Sequence, residues 1–388
     1  MFIIVFIIIL SILVLIHEFG HFIVAKKNGI KVEEFGLGFP PRIWGKQFGE
    51  TLYSINALPL GGFVKVYGEE YHEHEGKVTQ ELRERGFVYK KPWQKAAVLI
   101  AGVCMNLLLA IVIFYGLLAT NNFTSDPLIV FNNHHFRFGE TQGRVVVADV
   151  VDNSVAQKAG VVREQSVRRF NLSDDLRPSQ WVEVESASQL VNTIKKSGNT
   201  PITLELENIK NGRKQEIQVI PQYDQKLKRA IIGAQLVDTV VLRYQKPIEK
   251  VFSGILHSYN MAVYNMKTIG FLIKSSFATK SAEPVSQSLS GPIGIAAFVK
   301  DILNSSGEKL LYNLLNVIAL FSLSLATINI LPFPALDGGR LVFIIYEWIT
   351  RKRPNATFER VFNTTGFAFL LLMMLFISIN DVSKLFMH

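Results

Sequence analysis

Five residues, His17-Glu18-Phe19-Gly20-His21, interrupt an apolar run that begins at Phe2 and continues past them to Ala25. Over residues 2–16 only Ser11 is even weakly polar. As a helix, such a run reaches the roughly 20 residues that cross about 30 Å of hydrocarbon. Ionisable groups in such a segment are costly unless something coordinates or pairs them, so the chain must fold around this cluster. Residues four apart on a helix share a face, so both imidazoles can hold one metal ion, and Glu18 beside them can take a proton from water. Buried polar groups making helix–helix hydrogen bonds are the bland alternative, although one or two would suffice for that. A secretory signal would also begin with an apolar run. Here no Lys or Arg precedes it and no small-residue cleavage site follows, so a retained span is expected.

Three further apolar stretches follow at 96–119, 314–331 and 361–379. The four together make about 80 residues of span. They account for a mean hydropathy of +0.24, high for a soluble enzyme and low for a pure membrane bundle. The 388 residues allow two or three domains. Lys+Arg 41 against Asp+Glu 32 gives +9, but charged residues are only 19%, which excludes a disordered chain or one that coats nucleic acid. Cys104 is the single cysteine, so neither an internal disulfide nor a Cys-rich zinc site is possible.

Basic residues orient the spans. Lys26 and Lys27 follow the first, Lys90, Lys91 and Lys95 precede the second, and Arg351, Lys352 and Arg353 separate the third and fourth, whereas 121–136 has neither Lys nor Arg until Phe136 is passed. The positive-inside tendency then places 26–95 and 338–360 in the cytoplasm and 120–310 outside, with both termini outward.

Residues 143–221 read as a small α/β module: a strand at 144–151, a short helix at 155–159 ending at Gly160, and a helix capped by Ser186 or Ser188 running to Lys196. Alternating Ile202, Leu204 and Leu206, the turn Asn211-Gly212, and Ile217 and Val219 make a hairpin. The run from Val151 to Gly160 (VDNSVAQKAG) is similar to a PDZ-domain run, with residues 170–182 as an insertion. At 246–275, apolar residues recur at three-to-four spacing, but Lys250, His257, Asn260 and Lys267 break the run. An amphipathic helix flat on the outer surface fits better than a span.

Two histidines leave Zn²⁺ short of the three protein ligands a hydrolytic site uses. A third should be Asp, Glu or His at membrane depth. Asp337 lies directly after the third apolar stretch, followed by Gly338-Gly339. Pro332 and Pro334 break the helix before it and expose backbone groups, making them candidate substrate contacts. An interfacial turn with an ordinary N-cap Asp is the alternative. His17 follows 16 residues, so it lies about 24 Å along its helix. For His17 and Asp337 to share an ion, the first and third spans must run the same way. The helix at 246–275 then lies flat or is paired with another crossing.

HEFGH in the first span, LDGG (Leu336–Gly339) after the third, the PDZ-like module between spans two and three, and Leu289-Ser-Gly-Pro-Ile-Gly294 resemble the site-two protease family. The likeness is greatest to its bacterial regulator-of-sigma-E protease (RseP-like) branch. Residues 36–68 resemble that branch's membrane-associated β-sheet loop. Two departures stand out: one PDZ-like module where longer members carry two, and Gly102-Val-Cys-Met-Asn106 where Gly-Pro-x-x-Asn is usual.

The resemblance implies an intramembrane zinc metalloprotease, with His17, His21 and Asp337 as zinc ligands and Glu18 as general base. Asn329 would contact the substrate backbone. It implies single-span membrane protein substrates, such as anti-sigma factors already trimmed by an upstream site-one protease, and remnant signal peptides. The expected fold is a polytopic α-helical membrane protein with four spans, an inserted extracytoplasmic PDZ-like domain and a β-sheet loop, in the bacterial cytoplasmic (inner) membrane and in contact with the lipid bilayer. The expected order is span one at 1–25, the β-sheet loop and connector at 26–95, span two at 96–119 and an extracytoplasmic region at 120–245. Interfacial helices at 246–310, span three at 311–337 ending in LDG, a cytoplasmic loop at 338–360 and span four at 361–380 complete it. The alternating stretch 52–66 is expected to pair with an unwound substrate as an added strand. Two other readings stay open: an HExxH membrane protease of another family with a Glu as third ligand, and a membrane scaffold with a decayed site acting through its PDZ-like module.

Overall fold

The computed structural model describes residues 1–69, 80–130, 134–163, 165–172, 181–209, 212–225, 227–279, 291–305 and 307–386. They form two compact units, Met1–Leu117 with Gly254–His388, and Leu118–Ser253.

In the first unit, four helices among the described residues are long and apolar enough to cross a membrane. They are α1 (Phe2–Lys27), α2 (Pro92–Thr120), α5 (Leu310–Asn329) and the last helix, α7 (Ala356–Phe386). Between α2 and α7 the unit also holds α3 (Ser253–Thr279), α4 (Pro292–Ser305) and α6 (Asp337–Thr350). α1 stops where Gly29 takes φ +65°, with Ile30 N–H donating to the Ala25 carbonyl and Gly29 N–H to that of Lys26. That is a left-handed glycine stop. The buried residues of α1 are Ile9, Leu13, His17, Gly20, His21 and Ala25, one stripe at three-to-four spacing. Ile4, Ile8, Ile12 and Phe19 on the rest of its surface are exposed.

β1 (Val32–Phe48) and β2 (Thr51–Val66) pair antiparallel, and both fold back on themselves. Gly36 pairs with Phe63 on one side and Ser54 on the other, while Ser54 also pairs with Gly45. The order of segments is therefore 62–66, 32–37, 51–56 and 42–48. Pro40 and Pro41, which have no N–H for the ladder, lie where β1 bends. The expectation that all of 52–66 is free to take an added strand is corrected: 51–56 already has a neighbour on each side, and only 62–66 is an edge. Phe22 meets Phe35 at 5.2 Å with the rings tilted, and Tyr53 meets both, fastening the sheet to the end of α1.

The third apolar span ends sooner than 337. α5 stops at Asn329, and the Pro332–Pro334 segment separates it from α6, which Asp337 opens. Residues 338–350, expected within a loop, are helical because Ile344 is buried among Ala25, Val66, Val98 and Leu99, and Leu341 packs against them. Lys95, almost fully buried, pairs with Glu347 of the same helix. At the N-terminus of α4, Asp381 of α7 accepts hydrogen bonds from the backbone of Gly291 (2.9 Å) and Gly294 (2.8 Å). The Leu289-Ser290 part of the LSGPIG motif lies outside the described residues.

α3 departs from the expected water-facing pattern. Ser253, His257, Ser258 and Asn260 are buried, whereas Ile255, Tyr259, Phe271, Ile273 and Phe277 are exposed. His257 meets Phe114 of α2 edge-on at 4.8 Å, and Asn265 donates to Ser324 of α5 at 3.4 Å. Of the polar residues that argued against a span, His257 and Asn260 are therefore buried, His257 against α2, whereas Lys267 is exposed.

The second unit holds a seven-stranded sheet: β3 (Leu128–Ile129), β4 (Glu140–Val150), β5 (Gln165–Leu172), β6 (Val182–Glu183), β7 (Ile202–Asn208), β8 (Lys214–Val219) and a last long strand, Ala234–Arg243, between β3 and β4. Its core includes Val147, Val167, Leu190, Ile202, Leu204, Leu206 and Val219. Helices Val155–Lys158 and Ala187–Ser197 start at Ser154 and Ser186, whose hydroxyls accept from Gln157 and Gln189 N–H. Glycines end both: Gly160 at φ +91° and Gly198 at φ +59°. Asn211 and residues 173–180 of the expected insertion lie outside the described residues.

Candidate active site

His17 and His21 stand one turn apart on the buried stripe of α1. Facing them on α2 are Val98, Gly102 and Asn106, also spaced by four and therefore on one face. His21 Nδ1 lies 2.8 Å from the Val98 carbonyl, and His17 Nδ1 lies 3.4 Å from the Asn106 side-chain amide. Rising residue numbers on α2 meet falling numbers on α1, so the two helices are antiparallel. Gly20 lets them approach: a Cβ there would be 2.4 Å from the Ala101 carbonyl oxygen.

With each Nδ1 turned to α2, the Nε2 atoms face each other at 3.1 Å. Asp337 Oδ2 completes a triangle, 3.0 Å from His17 Nε2 and 3.4 Å from His21 Nε2. Four tetrahedral ligands at about 2.0 Å from Zn²⁺ are spaced about 3.3 Å apart, so these three atoms fit three corners. Asp337 Oδ2 is buried and has no properly directed hydrogen-bond partner, as expected of a carboxylate oxygen placed for a cation. Both histidines are less than a tenth exposed. Glu18 is half-buried, its carboxylate within 4.8 Å of the two imidazoles. That set of donors, with a carboxylate base beside it, suits metal-assisted hydrolysis.

The loop before Asp337 is held by backbone packing. A Cβ on Gly338 would lie 2.2 Å from the Leu331 carbonyl oxygen, and one on Gly339 2.1 Å from that of Phe333. Ala335, at φ +69°, donates its N–H to Asn363 of α7 at 3.3 Å. One turn beyond Asp337, Arg340 pairs with Glu69 at 2.5 Å. Pro334 packs against Gly366 and, with Phe333, Phe358, Phe362 and Phe369, lines an apolar groove of about 460 Å³. Pro332 is exposed, and Asn329 closes α5 half-buried; neither belongs to the triangle at Asp337. Near the sheet edge, a Cβ on Gly62 would lie 4.0 Å from Glu18 Cγ, so edge segment 62–66 borders the candidate base.

The structure brings the sequence-predicted His17, Glu18, His21 and Asp337 together and adds Val98, Gly102 and Asn363, which the sequence reading did not single out for the site. The four-residue spacing of 98, 102 and 106 was a usable signal, and so was the lone amide of Asn363 near the start of an apolar helix. A backbone carbonyl such as that of Val98 carries no residue signature at all.

A profile of Peptidase family M50 matches residues 5–373. The chain belongs to peptidase family M50. It is 31% identical to a protein from Clostridium acetobutylicum that is a zinc metalloprotease by name, over 96% of this chain and 94% of the relative. A relative from Clostridium perfringens with the same designation is 30% identical over 96% of each chain. Zinc metalloprotease RasP of Geobacillus kaustophilus is 26% identical over 98% of each. The site-two protease family that the motifs resemble is thus confirmed for this M50 peptidase, and of the readings open to the sequence an enzyme is selected over a scaffold.

Proposed function

We propose that this M50 peptidase is an intramembrane zinc metalloprotease that cuts single-span membrane segments, with His17, His21 and Asp337 holding the metal and Glu18 acting as base. The observation that carries this is the triangle of two Nε2 atoms and Asp337 Oδ2 with sides of 3.0–3.4 Å. Zinc, when bound, supplies the Lewis acidity that activates water and polarises the scissile carbonyl. The chain does the rest. α2 fixes both imidazole planes, the glycine-packed turn sets Asp337, and Glu18 accepts the proton of the attacking water and returns it to the leaving amine.

A substrate helix hides its carbonyls in its own hydrogen bonds and must unwind to be cut. Edge segment 62–66, beside Glu18, is placed to offer the replacement backbone partners. Asn329, Pro332 and Pro334 are proposed substrate contacts, the first through its amide and the prolines through exposed backbone around them.

The basic flanks of the helices support an orientation with 26–95 and 338–360 in the cytoplasm, in a bacterial inner membrane. The inserted unit is then outside. Its short helix, capped second helix and β7–β8 hairpin support a PDZ-like fold. The expected role is to exclude substrates still carrying bulky outer domains, so anti-sigma-factor-like proteins trimmed by an upstream protease and remnant signal peptides fit. The outward apolar face of α3 supports contact with lipid.

Glu18→Gln tests the mechanism. Cleavage of a model membrane peptide should fall by about 10²–10⁴ while zinc stays bound. Retained cleavage would overturn the assignment of the base. Unchanged activity in Asp337→Ala would overturn Asp337 as the third metal ligand.

A further inference from the structure

We propose that Asn106 is a positioning residue whose side-chain oxygen accepts a hydrogen bond from His17 Nδ1–H and so fixes the tautomer that presents Nε2 to the metal. This rests on the ligand set proposed above. An imidazole that donates its Nε2 lone pair to a metal carries its proton on Nδ1, and that N–H needs an acceptor. His21 has one, the Val98 carbonyl at 2.8 Å, which can only accept. His17 faces Asn106 instead, with the amide nitrogen at 3.4 Å. In the metal-binding tautomer that would set two N–H groups against each other.

Meanwhile Asn106 Oδ1 is buried and without a partner. Turning the amide by half a rotation exchanges its two ends. Oδ1 then gains the partner it lacks, and His17 gains the acceptor its Nδ1–H requires. The nitrogen gives up only a contact that becomes repulsive once the metal binds. Asn106 is held for this role: it is fully buried, and its backbone carbonyl accepts from Ser322 Oγ of α5 at 2.7 Å. A lone amide in an apolar helix is costly in hydrocarbon, and a direct hold on a metal ligand accounts for its presence.

The polarity of this bond separates the two possible amide orientations. Aspartate at this position can only accept, and leucine does neither. On the full chain in detergent, zinc affinity is read by competition with a chromophoric chelator. Asn106→Leu should weaken binding about 10–100-fold, and Asn106→Asp should restore it to within about threefold of the parent. Should Asn106→Leu not fold, Asn106→Ala carries the same arm. Unchanged affinity in the leucine or alanine variant overturns the proposal, and so does an aspartate variant as weak as either. His17→Ala separates this from the underlying reading: if zinc binding survives it, the ligand set is wrong rather than the role of Asn106.

Discussion

A Cβ on Gly102 would stand 2.5 Å from His21 Nε2, and 2.8 Å from Cε1 of His17. The two imidazoles occupy the space a side chain would take, so this glycine is a packing requirement of the site. Gly102→Ala is expected to displace both rings at a cost of about 1–3 kcal/mol and to lower zinc affinity at least tenfold. Metal analysis of the purified variant, with circular dichroism to confirm that the helices form, checks it.

Asp337 is placed by close backbone approach. The 2.2 Å separation between a Cβ at Gly338 and the Leu331 carbonyl oxygen means that alanine must push the α6 start away from the end of α5. A shift near 1 Å should cost about 100-fold in peptide cleavage. Gly116→Ala is the control, since nothing lies within 4 Å of its Cβ, and it should leave activity intact while stabilising α2 by up to about 1 kcal/mol.

Substrate engagement at the sheet should be confined to one edge. A photo-crosslinking residue at Val64, in the segment beside Glu18, is expected to capture a membrane peptide substrate in the inactive Glu18→Gln background. One at Lys46, on the opposite edge 42–48, is not. Equal capture at both positions would remove the strand-addition step.

The inserted unit should carry an acid-sensitive cross-strand pair. Arg169 and Glu205 are register partners on β5 and β7, and the hydrogen bond from Arg169 holds the Glu205 carboxyl below the usual carboxylate range. A depressed folded-state value stabilises above the unfolded value and is lost as pH falls through the folded one. The unfolding temperature of this unit should therefore drop on acidification below the ordinary glutamate range. Glu205→Gln should cost about 1 kcal/mol at neutral pH and flatten that drop. Calorimetry across the acid range reads both.

Much of the architecture was legible in the chain because hydrocarbon enforces uniform composition. Residues 2–16 and 96–119 announce their helices, and HEFGH within one of them admits few uses. A cap at Ser186 or Ser188 and the stop at Gly160 were legible because caps are local, and the structure takes Ser186. The helical state of 338–350 was not. Its driving force is the burial of Ile344 against Ala25 and Val98 and the pairing of Glu347 with Lys95, both distant in sequence. The double pairing of Ser54 was equally hidden, since period-two alternation does not reveal which edge of a strand is free.

By itself the sequence determined the types of the proposed ligands, their i,i+4 spacing and the need such a site has for a third ligand at membrane depth. Those follow from helix periodicity and from the cost of ionisable groups in lipid. Only the tertiary structure decided which face of α2 backs the histidines and that Val98 and Asn106 lie beside the two Nδ1 atoms, leaving the Nε2 atoms face to face. It also decided that a glycine-packed turn brings Asp337 within 3.4 Å of both Nε2 atoms. Those are relations between surfaces far apart in the chain, set by how closely backbones can approach, and no local pattern encodes them.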